Sequence, residues 1–408
     1  MKFGLLGRKL GHSYSPEIHS HLGSTPYSLY EVEPEQLESF LKQGDFTGIN
    51  VTMPYKKDVI PFLNSLSDTA GKLGAVNTIV RTSDGKLLGH NTDYYGFSYL
   101  LHRITPTPAG KKILVLGSGG ASNTVVAVLR EEGAIPVIIS RNGENNYENL
   151  HLHTDADAIV NTTPVGMYPN TGVSPVDLTQ FPHLSWVLDI VYNPAKTQLL
   201  LDAEKLGIPS ENGLRMLVAQ AKESAEWFLQ KKLEDSLIET VYKTLSVKMK
   251  NIILIGMPGS GKSTVAAALS ETLGREYRDT DQRITELACR SIPKIFEQEK
   301  EAGFRKLETR AIAEISKQSG LIIATGGGCV TVPENIPLLR QNGILFWLHR
   351  DLDKLPTNGR PLSQNHPLSQ LYEKRVPLYQ AAADYSISNN GSLEDTLAQI
   401  LNILEKEL

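Results

Sequence analysis

The fold is decided by one stretch just past the midpoint of the chain, residues 252–264, IILIGMPGSGKST. Its aliphatic residues predict a buried strand, and its glycines leave backbone N–H groups free to converge on phosphate oxygens. Lys262 can reach the outer phosphates of a nucleotide, and the Ser263 hydroxyl can bind Mg²⁺. The alternative is a plain glycine turn before a helix. The stretch predicts a phosphate-binding loop that leads into a helix from about Ser263.

A second stretch of strand and glycine loop lies upstream, at residues 111–122, KKILVLGSGGAS. It lacks the lysine that a triphosphate needs, and Ser122 stands where G-x-G-x-x-G has its third glycine. A tight strand-to-helix turn is the alternative. The next strand ends at Ser140-Arg141-Asn142, where Arg141 favours a 2′-phosphate and therefore NADP, although Glu144 lies close by. One chain is thus predicted to carry two different nucleotide sites.

Composition predicts a globular, cytoplasmic protein of two or three domains. The 408 residues include 40% hydrophobic and 21% charged residues, an ordinary balance for a chain with several cores. The net charge of −4 offers no basic face for nucleic acid. Cys289 and Cys329 are too few for a disulfide framework, which favours a reducing compartment. We expect no signal peptide, because charged residues interrupt residues 1–22, and no membrane contact, because no apolar run reaches membrane length.

Short β-like runs alternate with helical stretches, which predicts an α/β fold. A turn-rich segment at 105–110 separates a first lobe from the strand with the first glycine loop. An amphipathic helix at 214–230 is predicted to pack back on the first lobe, a polar helix follows at 231–245, and 246–250 form a short link. The predicted strands are Phe3–Leu6, Tyr27–Val32, Ile49–Val51, Val76–Val80, Ile113–Leu116, Val137–Ser140, Ala158–Asn161, Trp186–Ile190, Ile252–Ile255, Leu321–Ala324 and Ile344–Leu348.

Acidic and basic motifs after residue 264 suit phosphoryl transfer to a small anion. Asp279 and Asp281, two apart on an extended run, can hold a hydrated Mg²⁺ and accept a hydrogen bond from the attacking hydroxyl. The alternative for Asp281 is the N-cap of a helix near 282–290. Three more features add to this pattern. Arg305 and Arg375 offer guanidinium groups for a carboxylate, and Gly326-Gly327-Gly328 lets a ligand approach bare backbone. Arg360 supplies a cation in the polar stretch 356–366.

Residues 250–408 resemble shikimate kinase over their whole length. The motifs that carry the resemblance are Asp279-Thr280-Asp281, Phe304-Arg305 with Glu308, Gly326-Gly327-Gly328, Arg360-Pro361-Leu362 and Arg375-Val376-Pro377. The resemblance implies that ATP and Mg²⁺ bind at Gly259, Ser260, Gly261, Lys262, Ser263 and Thr264. It implies that shikimate is held by Asp281, Arg305, Gly327 and Arg375, and that Arg360 closes over the phosphates. The segment just before Arg360 carries one lysine, fewer basic residues than the family often has.

Two features of the first lobe suit the reduction of a ketone on an anionic substrate. Ser13-Tyr14-Ser15-Pro16 precedes a helix, with Ser15 as its predicted N-cap and two hydroxyls placed for a carboxylate ligand. Lys56 follows a strand and a proline turn, and Asp93 starts another helix. Hydride addition to a ketone creates an alkoxide that needs a proton, which a lysine beside a carboxylate can supply. Taken alone, Lys56 would be an ordinary surface lysine.

Residues 1–245 resemble shikimate dehydrogenase. The motifs are 12–19 (HSYSPEIH), 50–56 (NVTMPYK), 74–78 (GAVNT), 91–93 (NTD) and 216–221 (MLVAQA). The resemblance implies that Lys56 and Asp93 form the catalytic pair and that shikimate is bound by Ser13, Ser15, Thr52, Asn77, Asp93, Tyr192 and Gln220. It places NADP near Asp68, Gly117, Ser118, Gly119, Gly120, Ala121, Ser122, Ser140, Arg141, Asn142, Ile190 and Gly213. The stretch between 142 and 158 is shorter than in the family, so the crossover helix there is expected to be reduced or lost.

These observations together predict a bifunctional enzyme of the shikimate pathway, which leads to aromatic amino acids. The front half would reduce 3-dehydroshikimate with NADPH, and the rear half would phosphorylate shikimate to shikimate 3-phosphate with ATP and Mg²⁺. Only small molecules are expected as partners, with no nucleic acid and no membrane, and the oligomeric state is left open. The predicted domains are 1–104 with 214–245 as the shikimate-binding lobe, 105–213 as a Rossmann-like NADP domain, 246–250 as the linker, and 251–408 as a P-loop, nucleoside-monophosphate-kinase-like α/β domain.

Two other functions remain open from the sequence. Quinate oxidation with NAD, or phosphorylation of a gluconate-type acceptor, would keep both folds and change the ligands. A ligand-sensing regulator built from degenerate copies of both domains would have neither activity. Lys56, Asp93, Lys262 and Asp281 are all intact, which argues against the regulator, as does the missing DNA-binding segment.

Overall fold

The computed structural model describes residues 1–11, 13–355 and 368–407. The chain divides into two compact units. The first contains residues 1–165, 174–192 and 202–242, and the second contains residues 166–173, 193–201 and 243–408. Among the described helices, none combines the length and the apolar character that crossing a bilayer requires.

A six-stranded mixed sheet begins the first unit. Its strands are β1 Phe3–Gly7, β2 Tyr27–Glu31, β3 Gly48–Val51, β4 Ser65–Leu66, β5 Thr78–Arg81 and β6 Leu87–His90, in the order β2-β1-β3-β5-β6-β4. Strand β5 runs antiparallel to β3 and β6, and the other pairs are parallel. Every residue of β1 and β3 is buried, as expected for inner strands covered on both faces.

The second sheet of this unit is entirely parallel. Its strands are β7 Lys112–Leu116, β8 Ile135–Ile139, β9 Ala158–Asn161, β10 Trp186–Asp189 and β11 Ser210–Asn212, in the order β11-β10-β9-β7-β8. Parallel neighbours need a crossover connection, which is usually a helix. Between β8 and β9, the connection contains a single 3-10 turn at Leu150–His153. The predicted reduction of this crossover is therefore confirmed.

Helices cover both sheets of the first unit. Helix α7 packs on α4, and Phe97, Val125 and Trp186 belong to the apolar core between helices and parallel sheet. The helix at 214–230 therefore packs back as predicted. The helices are α1 Ser15–His21, α2 Leu37–Gln43, α3 Asp68–Leu73, α4 Asp93–Ile104, α5 Gly120–Glu131, α6 Gln198–Lys205, α7 Leu214–Leu229 and α8 Ser236–Met249. The division between the two units falls within α6 and within α8.

A five-stranded parallel sheet forms the centre of the second unit. Its strands are β12 Asn251–Ile255, β13 Tyr277–Asp279, β14 Ile322–Ala324, β15 Gly343–His349 and β16 Tyr385–Ser388, in the order β13-β14-β12-β15-β16. Strand β12 is central and fully buried, which explains its uninterrupted aliphatic run. The helices are α9 Lys262–Leu273, α10 Thr280–Ala288, α11 Ile292–Ile315, α12 Asn335–Arg340, α13 Leu368–Ala382 and α14 Leu393–Lys406.

Several sequence expectations were incomplete or wrong. Five strands were missed, and each is short or lacks a clear apolar pattern: β4, β6, β11, β13 and β16. Ser15 is not the N-cap of α1, because Tyr14 holds that position and the Ser13 hydroxyl accepts from Ser15 N at 3.2 Å. The predicted link at 246–250 is mostly helical, since α8 begins at Ser236 and continues to Met249.

Two buried histidines make the first unit sensitive to acid. His19 is 1% exposed and stacks on Tyr27 and Phe228, and burial lowers its pKa to about 3. Burial also lowers the pKa of His90, which stacks on Trp227, to about 4. In the unfolded chain both groups take up a proton near pH 6.5, so the unfolded state binds more protons below that pH. These two histidines therefore lower the free energy of unfolding as the pH drops below about 6.5, whereas Glu223, whose pKa burial raises to about 7, acts in the opposite direction.

We predict that each of the two buried histidines contributes a loss of about 1.4 kcal/mol of stability per pH unit as the pH falls from about 6 to about 4.5. Hydrogen exchange of the amides in β1 and β3, followed in the full chain, measures that slope. His19→Asn should reduce the slope of the unfolding free energy against pH by the contribution of one histidine. His21→Asn changes an exposed histidine of the same helix and should leave the slope intact. An unchanged slope in His19→Asn would contradict the assignment.

Candidate active sites

A cavity of about 270 Å³ lies in the first unit, beside the carboxyl end of β3 and the start of α4. Elements from distant parts of the chain meet there because the sheet places the strand ends beside the first turns of the helices. The cavity is lined by all eight residues that were predicted to bind or convert the substrate: Ser13, Ser15, Thr52, Lys56, Asn77, Asp93, Tyr192 and Gln220.

Lys56 and Asp93 form an ion pair in this cavity. The lysine Nζ lies 2.6 Å from Oδ2 of Asp93, and the two side chains are 33% and 18% exposed. Asp93 is the first residue of α4, where the helix N-terminus favours a carboxylate. Its other oxygen, Oδ1, accepts a hydrogen bond from Asn77 Nδ2 at 2.9 Å. Both oxygens are thus held, and the ammonium group is fixed at the cavity wall, where it can donate a proton.

A buried network of hydroxyl and amide groups centred on Ser224 lies behind this pair. The fully buried Ser224 Oγ is 2.8 Å from Asn50 Nδ2, 2.8 Å from Thr78 Oγ1 and 2.9 Å from Thr92 Oγ1. Thr92 N in turn donates to Asn77 Oδ1 at 2.8 Å. Because a buried polar network is rigid when its members are satisfied, this one sets the position of the amide that holds Asp93.

Sequence reasoning did not assign roles to Ser224 or Asn50. Asn50 belongs to a quoted motif, but the strand around it is buried and gave no reason to expect a hydrogen-bonding centre. Ser224 shares the buried face of α7 with Val218, Ala221 and Ala225. A serine on such a face must find buried partners, so the amphipathic pattern of that helix contained the available signal.

The first glycine loop turns from β7 into α5. Gly117 has φ of +105°, and a Cβ there would lie 2.9 Å from Thr162 Oγ1. The N-terminus of α5 has no side-chain cap, and a Cβ at Gly119 or Gly120 would meet no atom within 4 Å. Free amide groups facing open space fit the pyrophosphate of a dinucleotide. Ala121 of this loop also lines the cavity that contains Lys56, which connects the two ligand positions.

The other residues predicted near NADP lie in several places. Ile190 and Gly213 line the same cavity as Lys56, and a Cβ at Gly213 would collide with the Ile190 carbonyl oxygen. Arg141 is exposed directly after β8, whereas Asp68 is exposed at the start of α3 and does not line the cavity. The rest follow β7 or β8: Ser118, Ser122, Ser140 and Asn142.

A larger cavity of about 580 Å³ lies in the second unit, at the carboxyl end of its parallel sheet. Ser260 is fully buried within the phosphate loop and does not line it. Arg360, predicted to close over the phosphates, lies outside the described residues. The cavity is lined by ten of the predicted site residues: Gly259, Gly261, Lys262, Ser263, Thr264, Asp279, Asp281, Arg305, Gly327 and Arg375.

The phosphate loop has a shape that glycine makes possible. Gly256 and Gly261 have φ of +147° and +91°, which L residues rarely adopt. Asn389 Nδ2 donates to the Ser260 carbonyl oxygen at 2.6 Å and braces the loop from β16. Lys262 Nζ donates to the Gly256 carbonyl oxygen at 2.9 Å. Lys262 and the loop glycines Gly259 and Gly261 therefore line one cavity, as phosphate binding requires.

Oxygen ligands meet beside this loop. Ser263 Oγ donates to Asp279 Oδ2 at 3.1 Å, and Asp279 Oδ1 accepts from Asp281 N at 2.8 Å. Asp279, rather than Asp281, is therefore the N-cap of α10, and Asp281 belongs to the first helical turn instead of an extended run. Within the described residues no group of three or more His, Cys, Asp and Glu side chains could hold a metal. Hydroxyl and carboxylate oxygens still fit Mg²⁺, which takes its remaining ligands from water and phosphate.

An ion pair lies at the other side of the cavity. Arg305 donates to Glu308 Oε2 at 2.6 Å, and Glu308 is fully buried. Burial raises the pKa of Glu308 although Arg305 opposes this effect. Burial lowers the pKa of Arg305, but Glu308 and Glu301 more than compensate, so this pKa lies above its usual value. A Cβ at Gly328 would collide with the Arg305 guanidinium group, so glycine at this position leaves the guanidinium the place that it occupies.

Other residues in and around this cavity were not assigned from the sequence. Tyr379 is fully buried in α13, and its hydroxyl donates to the Gly327 carbonyl oxygen. Tyr379 does not line the cavity, but this contact fixes the glycine backbone from the core behind it, and only tertiary structure reveals it. The lining residues that belong to none of the quoted motifs and predicted sites are Ile292, Pro293, Phe296, Thr325, Arg350 and Leu371.

The folds and cavities define a class of protein, a nucleotide-dependent oxidoreductase joined to a P-loop kinase. Residues 5–79 match the family model "Shikimate dehydrogenase substrate binding domain", and residues 258–405 match the model "Shikimate kinase". The chain belongs to the shikimate dehydrogenase family and carries a shikimate kinase domain. It is therefore an enzyme with an oxidoreductase part and a phosphotransferase part.

Individual relatives support this assignment. Shikimate dehydrogenase (NADP(+)) of Clostridium beijerinckii is 35% identical over 268 residues, which cover 61% of this chain and 99% of the relative. A solved chorismate mutase/shikimate 5-dehydrogenase fusion protein from Clostridium acetobutylicum is 35% identical, with a TM-score of 0.57, over 60% of this chain and 96% of that one. Shikimate 5-dehydrogenase from Thermus thermophilus, solved with NADP(H) and shikimate, is 30% identical, with a TM-score of 0.54, over 60% and 99%.

Gly328→Ala tests whether Arg305 binds the acceptor of the kinase. The backbone tolerates alanine because φ at Gly328 is −105°, but the added methyl group should displace the guanidinium. We expect KM for the acceptor to rise about tenfold, the loss of one charged hydrogen bond, with KM for ATP unchanged. Steady-state kinetics measures both, and the reductase activity of the same chain serves as the control. A rise in KM for ATP alone would contradict the assignment.

Proposed function

We propose that this chain reduces 3-dehydroshikimate to shikimate with NADPH and then phosphorylates shikimate to shikimate 3-phosphate with ATP. The observation that carries the proposal is the set of residues that line the two cavities. One contains the Lys56–Asp93 pair beside a dinucleotide loop, and the other contains Lys262 of the phosphate loop and Asp281. The products and substrates fit, since the hydroxyl that the first reaction creates is the acceptor of the second.

The reductase needs a proton at the ketone oxygen. NADPH, when bound, supplies the hydride. Lys56 would donate the proton from Nζ, which Asp93 holds at 2.6 Å. The carboxylate fixes the direction of the ammonium group, while Asn77 keeps the carboxylate from rotating. The hydroxyl and amide groups of Ser13, Ser15, Thr52, Tyr192 and Gln220 would bind the carboxylate and hydroxyl groups of the ring.

The kinase has little covalent chemistry to perform, so positioning and charge dominate. Lys262 and the loop amides would stabilise charge on the transferred phosphoryl group. Asp281 would accept a hydrogen bond from the attacking hydroxyl. We propose that Mg²⁺ is held by Ser263 and Asp279 together with phosphate oxygens. The acceptor carboxylate would lie on Arg305, Gly327 and Arg375, and closure by Arg360 remains a prediction.

Other ligands would require different contacts. The exposed Arg141 after β8 suits a 2′-phosphate, which supports NADP over NAD, and the match to shikimate dehydrogenases supports shikimate over quinate. The intact Lys56–Asp93 pair and the glycine-shaped phosphate loop argue against a regulator without catalysis. The expected cytoplasmic location and the absence of nucleic-acid partners stay predictions.

Separating the two steps tests the proposal. Lys56→Met should lower kcat for reduction about 10²–10⁴-fold, because the proton donor is lost, and leave the kinase intact. Lys262→Met should lower kcat for phosphorylation about 10²–10³-fold and leave reduction intact. The assay supplies 3-dehydroshikimate, NADPH and Mg-ATP and follows both products. Lys57→Ala and Lys317→Ala, which change exposed lysines of the same regions, are the matched controls. If the unmodified chain leaves shikimate unphosphorylated, the proposed kinase acceptor is wrong.

Arg141→Gln tests the choice of dinucleotide. A guanidinium that binds the 2′-phosphate should contribute about 1.5–3 kcal/mol, so KM for NADPH should rise about tenfold to a hundredfold. KM for NADH should change little, because NADH has no 2′-phosphate. Steady-state reduction with both dinucleotides gives the two values. Arg130→Gln, at the exposed end of α5, is the control, and equal changes for NADPH and NADH would refute the role.

A further inference from the structure

Strand order places one more cation beside the phosphate loop. Strand β12, which leads into the loop, lies between β14 and β15. The register pairs Trp347 of β15 with Ile255 of β12, and a Cβ at Gly256 would collide with the Leu348 carbonyl oxygen. The chain that leaves β15 therefore touches the base of the phosphate loop. Arg350 is the second residue after Leu348 and lies at this position.

The side chain of Arg350 lines the same cavity as Lys262. Its Nε is buried and has no hydrogen-bond partner, and within residues 1–11, 13–355 and 368–407 no acidic side chain forms an ion pair with it. The neighbouring charges are already engaged, because Asp351 pairs with Lys354 at 3.4 Å and accepts from Asn390 Nδ2 at 2.9 Å. A buried guanidinium nitrogen without a partner costs free energy unless a ligand satisfies it.

Two anionic ligands could satisfy this group, the phosphate chain of the nucleotide and the carboxylate of the acceptor. The acceptor side is marked by Arg305 against Gly328, in the segment after β14. Arg350 follows β15, on the opposite flank of β12. The base of the phosphate loop lies on the same flank as Arg350, because Leu348, two residues before Arg350, lies against Gly256.

We propose that Arg350 binds the phosphate chain of the nucleoside triphosphate in the kinase cavity. Its planar guanidinium can form two parallel hydrogen bonds to phosphate oxygens, which a lysine cannot do. The one lysine of the following segment, Lys354, is neutralised by Asp351 and cannot take this role in the same conformation. Arg350 thus adds a second cation to Lys262 on the nucleotide side. The inference deepens the proposed kinase function and rests on the nucleotide part of it alone.

Direct binding of ADP to the full chain tests Arg350 without any acceptor. Arg350→Gln should weaken the Kd for ADP about tenfold or more and the Kd for AMP less than about threefold, because the outer phosphates lose a charged partner. Arg350→Lys keeps the charge and should regain part of the ADP affinity. Arg310→Gln removes an exposed arginine that pairs with Glu314 and should leave both Kd values unchanged.

Steady-state kinetics of the same variants shows whether Arg350 contacts the nucleotide or the acceptor. KM for ATP should rise in Arg350→Gln, with KM for shikimate and the reductase activity unchanged. The proposal is overturned if the ADP Kd stays within about twofold of the unmodified chain, if AMP is weakened as much as ADP, or if Arg350→Lys regains nothing. A chain that binds ADP as expected but does not phosphorylate shikimate would reject the proposed acceptor and leave Arg350 in place.

Discussion

Both active sites depend on one constraint: a helix must begin close to the point where a strand of a buried sheet ends. The first amide groups of such a helix have no partners within it, so they collect negative charge or anionic ligands. Asp93 uses this position on α4, the glycine loop uses it on α5, and the phosphate loop uses it on α9. In sheets with parallel inner strands these positions fall at one edge, which is why each unit has its cavity there.

One cation in each cavity is paired with a carboxylate before any ligand binds. Asp93 holds Lys56, and Glu308 holds Arg305, so neither cation is free to turn away. The pairing keeps each cation ordered at modest exposure, which lowers the entropy lost when the substrate arrives. Arg350 differs because nothing within the described residues pairs with its side chain. That difference fits a group whose counter-charge is supplied by the nucleotide.

The long apolar strands and the glycine loops could be predicted from sequence, because a buried parallel strand must be aliphatic on both faces. Strands such as β13 and β16 could not, since they are short and their neighbours, more than their own residues, decide their pairing. The helix caps also escaped prediction. Two serines compete near the start of α1 and two aspartates near the start of α10. Only the geometry selects Asp279 over Asp281 as the N-cap.

What the sequence determined by itself is the chemistry that each half can perform: the loop glycines and Lys262 predict phosphate binding by residue type and spacing, and the motifs around Lys56 and Asp93 indicate a reductase through their resemblance to a known family. What tertiary structure decided is which groups meet. Ser224 reaches Asn50 and Thr78 across more than a hundred residues, and Arg350 lines the same cavity as the phosphate loop only because β15 lies beside β12. Contacts between residues far apart in the chain depend on packing and strand order, which no local pattern encodes.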